Sequence, residues 1–168
     1  YHDIPLPTTD DIEYHSQHFF ISNNDKECSS RYHSEIKDLE WKDKINKAVF
    51  RGTATGDGIT PETNLRMKAT LLSNQFPELL NVGLTAINQN KIRVNSKYGL
   101  LKINKKELSS KYKIDISNKL DLVERQKYKY NLCLDGHTRA DRFGNEMRLK
   151  KIMILPNSGH FLWFEPFM

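Results

Sequence analysis

Cysteine is nearly absent. Cys28 and Cys133 are the two in 168 residues, too few for a disulfide framework, and Cys133 sits in an apolar run where it reads as a small core residue. No apolar run approaches the roughly 20 residues that a bilayer-spanning helix needs. The opening "YHDIPLPTTDDIEYH" is polar, carries Pro5 and Pro7, and lacks the pattern of a signal peptide. It also lacks an initiating Met, so an excised or processed piece is the expectation. Asn-x-Ser/Thr sequons are missing throughout, which argues weakly against a secretory history. No Gly-x-Ser-x-Gly nucleophile motif occurs, and no glycine loop ends in the Gly-Lys-Ser/Thr of a Walker phosphate loop. His15 and His18 lie three apart with His2 and His33 nearby in sequence, but no Cys pair completes a ligand set; no metal is expected. Trp41, Trp163, Phe161, Phe164 and Phe167 read as core or interface, since aromatics alternating with basic residues on a sheet, the RNA-binding pattern, are absent.

What is present is an ordinary globular balance, 38% hydrophobic and 28% charged, with length for one core and not for two full domains. Lys and Arg total 26 against 21 Asp and Glu, a net charge of +5. That favours anionic partners as a class (nucleotides, nucleic acid, acidic lipid) without choosing among them. Many of the lysines are scattered through 91–129, as on a solvated surface.

Residues 1–34 show little periodicity, with "HFFIS" (18–22) one short strand candidate. Ile36, Leu39 and Ile45 predict a helix over 34–47, capped by Ser34. "AVFRG" (48–52) predicts a strand and "TATGDGIT" (53–60) a loop. Leu65, Ala69 and Leu72 share one face of a helix predicted over 61–76, with Pro61 and Glu62 at its start. Strands follow at 79–87, 127–136 and 152–157, with an irregular or partly helical excursion over 88–118 and a helix over 138–151 that Gly144 weakens. The alternation of strand and helix predicts an α/β fold with a parallel, Rossmann-like sheet. Ligands of such sheets bind beyond the carboxyl ends of the strands.

Two loops lie at such ends. In "FRGTATGDG" (50–58), Gly52 permits close backbone approach, Thr53 and Thr55 offer hydroxyls, and Arg51 can grip a phosphate with two N–H groups. In "DGHTRADR" (135–142), Asp135 and Gly136 close a strand, Thr138 can cap the next helix, and Arg142 adds charge near its positive end. Asp135 can accept from a sugar or ribose hydroxyl. Read alone, each stretch favours an ordinary reading: a βα loop with a surface Arg51, and a turn aspartate salt-bridged to Arg142.

Three ordered stretches, "EWKDKINKAVFRGTATG", "YKYNLCLDGHTRADR" and "LKKIMILPNSGHFLWFEPFM", together resemble the KTEL-motif, or Rumi-like, protein O-glucosyltransferases and their fungal capsule-associated relatives, glycosyltransferase family 90. The resemblance covers about residues 40–168, with a weaker echo in "HDIPLPTTDDIE". It implies a GT-B glycosyltransferase, of which residues 41–168 would form most of the donor-binding lobe, incomplete at both ends, with 1–40 as a linker or entry segment. It implies an inverting, metal-independent transfer of a hexose or pentose from a UDP-sugar to a protein or glycan hydroxyl, with no cofactor. Carried over by position, Arg51, Gly52 and Thr53 would contact the diphosphate or donor sugar, Thr55 would support that loop, and Asp135, Gly136, Ala140 and Arg142 would form the second wall. Arg139 and Asp141 stand where the family has small or apolar residues, and the family's general base has no counterpart in this chain. Two other readings stay open: a basic α/β module gripping nucleic acid, and a sugar-nucleotide-binding scaffold without catalysis. Compartment and oligomeric state stay open as well.

Overall fold

The computed structural model describes residues 39–93, 104–137, 146–147 and 149–157. A long strand, β1 (Ile45–Asp57), runs through the middle of a four-stranded sheet. β2 (Leu80–Arg93) pairs on one side of it and β3 (Tyr128–Leu132) on the other, with β4 (Ile152–Ile154) beyond β3. Every pairing is parallel and the order is β2-β1-β3-β4. The α/β class and the parallel sheet predicted from the sequence are therefore present. Parallel neighbours need crossovers rather than hairpins. α1 (Leu65–Gln75) joins β1 to β2, and α2 (Lys105–Tyr112) and the single-turn α3 (Leu122–Arg125) lie between β2 and β3. The chain first adds β2 on one side of β1, then returns to add β3 on the other.

Side chains alternate along β1, so Phe50 and Ala54 face α1 while Arg51, Thr53 and Thr55 lie on the opposite face. Beneath α1 the core is two adjoining clusters. Met67 packs with Ala54, Leu84, Leu108 and Ile114, and Ala69 with Phe50, Val82 and Leu134. Each large apolar side chain buried this way stabilises the fold by about 1.5–3 kcal/mol.

Several element boundaries differ from the sequence reading. In the described part of the helix predicted over 34–47, Trp41–Asp43 form a lone 3-10 turn and Ile45 opens β1. There Ile45 N–H donates to the carbonyl of Lys127, and strand pairing overrides a helical spacing of apolar residues. The segment 53–57, predicted as loop, continues β1: Thr53 and Ala54 pair with Ala86 and Ile87, and Gly56 and Asp57 with Ile92 and Arg93. α1 begins at Leu65 rather than near Pro61, because the Asn64 carbonyl oxygen Oδ1 accepts from the N–H groups of Arg66 and Met67. β2 continues past Ile87 to Arg93, and β3 ends at Leu132 rather than 136. α3 was not anticipated; its signal is the capping box of Asp121 and Glu124. Of the helix predicted over 138–151, Glu146 and Met147 are helical, but Leu149–Lys151 has already left it, with Lys150 at φ 50°. The strand candidate at 18–22 and the apolar stretch 160–168 lie outside the described residues.

A buried ionic cluster ties the start of β1 to the segment before β4. Lys44 donates from Nζ to the carbonyls of Leu149 (2.6 Å) and Lys150 (3.0 Å). The enclosed carboxylate of Glu146 pairs with Arg125 of α3 and with Lys151, whose Nζ lies 3.6 Å from Oε2. Burial pushes the Lys151 ammonium down to about 8 against the attraction of Glu146, and the nearby Arg125 and Lys44 push in the same direction as burial.

Candidate functional site

The strand order reverses between β1 and β3, and at that switch point two crossovers leave in opposite directions and open a crevice. Both loops singled out in the sequence end there. Gly56 sits at φ +95°, and a Cβ placed on it would come 2.9 Å from the carbonyl oxygen of Gly136. A Cβ on Gly136 would meet the Thr55 hydroxyl at 2.3 Å. The end of β1 and the turn at Gly136 thus approach too closely for a side chain at either glycine. Between them opens a pocket of about 130 Å³ lined by Thr55, Gly56, Asp57, Thr63, Leu65, Asp135 and Gly136. Two carboxylates and two hydroxyls make it a hydroxyl-recognising surface rather than an anion-attracting one.

Two side chains from the start of α1 hold this crevice in shape. Asn64, buried, donates from Nδ2 to the carbonyls of Thr55 and Gly58, both at 3.2 Å, while its Oδ1 caps the helix. Arg66, also buried, donates from Nη1 to Thr53 O (2.8 Å), from Nε to Leu134 O and Asp135 O (3.2 and 3.1 Å), and from Nη2 to Leu134 O (2.9 Å). Its guanidinium lies 5.3 Å from the Phe50 ring centroid. Sequence reasoning missed both residues. Arg66 did leave a signal: a cation in the first turn of a helix opposes the helix dipole and implies another reason for being there.

Arg51, Gly52 and Thr53 lie together around a second pocket of about 260 Å³, with Thr85, Lys119, Leu120 and Arg125. The Arg51 guanidinium is largely engaged by protein. Nε donates to Asn118 O (3.1 Å), Nη1 to Phe50 O and Asn81 O (2.9 and 2.8 Å), and Nη2 to Asn81 Oδ1 (2.7 Å). Asn81 in turn donates from Nδ2 to the Tyr128 hydroxyl (2.6 Å), which links β2 to β3 across β1. Desolvation lowers the Arg51 pKa, opposed by Tyr128 and Glu124, and the group remains a cation. Arg51 therefore works as a fastener between strands that also contributes charge to the pocket wall.

The sequence-derived site residues accordingly divide into two groups: Arg51, Gly52 and Thr53 around the basic pocket, and Thr55, Asp135 and Gly136 around the crevice. Ala140 and Arg142 lie outside the described residues. Among the described residues no cluster of three or more His, Cys, Asp or Glu could hold a metal ion, and no helix is long and apolar enough to cross a membrane.

No family model matches the chain. It is similar to three viral proteins. Uncharacterized protein 035R of Invertebrate iridescent virus 3 is 32% identical over 120 residues, 71% of this chain and 10% of that protein. Uncharacterized protein 027R of Frog virus 3 (isolate Goorha) is 33% identical over 118 residues, 70% of this chain and 12% of that protein. Uncharacterized protein 179R of Invertebrate iridescent virus 6 is 33% identical over 152 residues, 79% of this chain and 12% of that protein. The chain thus spans about a tenth of the length of the curated relatives it matches.

Proposed function

We propose that this chain is the donor-binding part of a UDP-sugar-dependent glycosyltransferase of GT-B arrangement. The observation that carries the reading is the meeting of the "FRGTATGDG" and "LCLDGH" loops at the β1/β3 switch point, where Gly56 and Gly136 touch. Two stretches more than 70 residues apart in sequence form one crevice at the place where parallel sheets take nucleotides. In this reading Thr55 and Asp135 receive sugar or ribose hydroxyls, a carboxylate being an acceptor for two such donors. Arg51 and Thr53 lie toward the diphosphate, and Arg142 belongs to the same wall. The leaving UDP gains negative charge as the glycosidic bond to phosphate breaks, and fixed cations meet that charge in place of a metal. The acceptor hydroxyl loses its proton to a base supplied from outside this chain, and attack from the opposite side of the anomeric carbon inverts it.

A thermal-shift panel tests the reading. At least one UDP-sugar raises the melting temperature more than UDP does, and Asp135→Asn removes that extra increment while leaving the UDP shift in place. If UDP-sugars stabilise no more than the corresponding sugar-free nucleotides in the parent protein, the crevice does not recognise a donor sugar.

A further inference from the structure

α1 covers only half of one face of the sheet. It packs over β1 and β2, and α2 lies along one of its flanks, where Met67 packs with Leu108 and Asn74 donates to the carbonyl of Lys113. The half over β3 and β4 is apolar and open. Registered partners in parallel strands share a side, so Ile154 lies with Leu132, which packs against the Phe50 and Ala69 cluster beneath α1. Ile152 lies beside Tyr130 on that same side, while Met153 between them points the other way, to Cys133. Ile152 and Ile154 are 50% and 41% exposed.

α1 turns an apolar flank toward them. Leu65, Ala69, Leu72 and Phe76 fall on one stripe of the helix, on the flank away from Met67 and Asn74. Of these only Ala69 is buried; Leu65, Leu72 and Phe76 stay open to solvent. Trp41, also exposed, stands edge-on to Tyr130 and closes the groove at the end where the strands begin.

The groove has the proportions of a helix seat. Two strands about 4.8 Å apart take up about the width of one helix, so α1 over β1 and β2 leaves room for one more over β3 and β4. All-parallel sheets bury both faces, yet among the described residues no helix lies on this half: α2 flanks β2, and Arg125 of α3 is on the opposite face with Arg51 and Thr53. Leu65 and Leu72, one heptad apart, have the spacing of a helix-to-helix seam. Lys68, exposed at the outer margin of that stripe, suits an acidic residue beside the partner's seam. The viral relatives carry most of their length outside the matched segment, which is sequence enough to supply such a helix.

We infer that this groove seats an amphipathic helix from elsewhere in a longer polypeptide of which this chain is one segment, its apolar seam against Leu65, Leu72, Ile152 and Ile154. The inference is independent of the donor reading.

Thiol labelling read by peptide mass spectrometry tests it, with Leu72→Cys and Ile154→Cys placed both in the 168-residue chain and in the full-length polypeptide. Both cysteines should label about tenfold more slowly in the full-length polypeptide, whereas Lys111→Cys, at an exposed position of α2, labels equally in both. A benzophenone carried on Leu72→Cys should cross-link to one segment outside this chain, at positions recurring every three or four residues as on a helix face. Equal labelling of Leu72→Cys and Ile154→Cys in the two proteins, or equal slowing at Lys111→Cys, overturns the inference. So does slow labelling already present in the 168-residue chain: if it deepens with protein concentration a second copy fills the groove, and if it does not the chain closes the groove itself. Cross-links recurring at every second residue overturn the helix as occupant in favour of a strand.

Discussion

The guanidinium of Arg66 donates twice to one carbonyl, that of Leu134, from Nε at 3.2 Å and from Nη2 at 2.9 Å, while its third nitrogen reaches Thr53 O. One side chain from the crossover helix thereby closes off backbone acceptors at the ends of two adjacent strands. Arg66→Met keeps the stem against Phe50 but leaves those buried carbonyls without their donors, and should lower unfolding free energy by about 2–4 kcal/mol. Arg66→Lys should recover little of it, because an ammonium cannot reproduce the planar fork. Urea denaturation of both variants checks the pair; a full rescue by Lys would mean that charge alone is what Arg66 contributes.

Gly56 should tolerate no side chain. Its φ of +95° disfavours any L-residue, and a Cβ would lie 2.9 Å from the Gly136 carbonyl oxygen, a backbone atom with little room to yield. Gly56→Ala should cost about 1–3 kcal/mol and weaken nucleotide binding along with it, since it pushes the two crevice loops apart. A stable variant with parental affinity would show that the loop contact does not shape the site.

Arg51→Ala should lose stability as well as ligand affinity, because it removes donors from Asn118, Phe50 and Asn81. A fall of about 1–3 kcal/mol in urea denaturation is the expected size. Affinity measured at a denaturant-free temperature well below melting separates the two losses.

Stability should rise as pH rises from about 8 to 10.5. An unfolded Lys151 holds its proton until its ordinary value of 10.5, whereas burial in the folded protein lowers that to about 8. Within this window the unfolded chain binds more protons than the folded one, so raising pH favours the folded state; below it the cost of the buried charge is fully present. The gain should be about 1–3 kcal/mol. Lys151→Met should abolish the rise and increase stability at pH 7, as Glu146 retains Arg125. Glu146→Gln should do the reverse and destabilise by about 3–5 kcal/mol, because it strands two cations. Chemical denaturation at pH 7, 8, 9 and 10 follows all three proteins.

The parallel α/β sheet was legible because its strands carry apolar or β-branched runs separated by helical ones. The length of β1 was not. Thr53 to Asp57 contains two threonines and a glycine and reads as a turn until β2 is present to pair with it. The opposite error occurred at Ile45, where helical spacing gave way to the pairing with Tyr128. Within the site, the residues that face a pocket could be named from sequence, but those that build it could not. Asn64 and Arg66 act on carbonyls 9 and 68 positions away, and Lys119 comes beside Arg51 and Thr53 only through a return of the chain that no local pattern encodes.

The most direct test of the donor reading is calorimetric titration with UDP at two salt concentrations in EDTA, with GDP and a short DNA duplex as controls. Micromolar UDP binding that needs no metal and exceeds GDP binding is the predicted result. Absence of UDP binding, with DNA affinity that falls steeply as salt rises, would contradict it and identify the basic surface as a nucleic-acid contact.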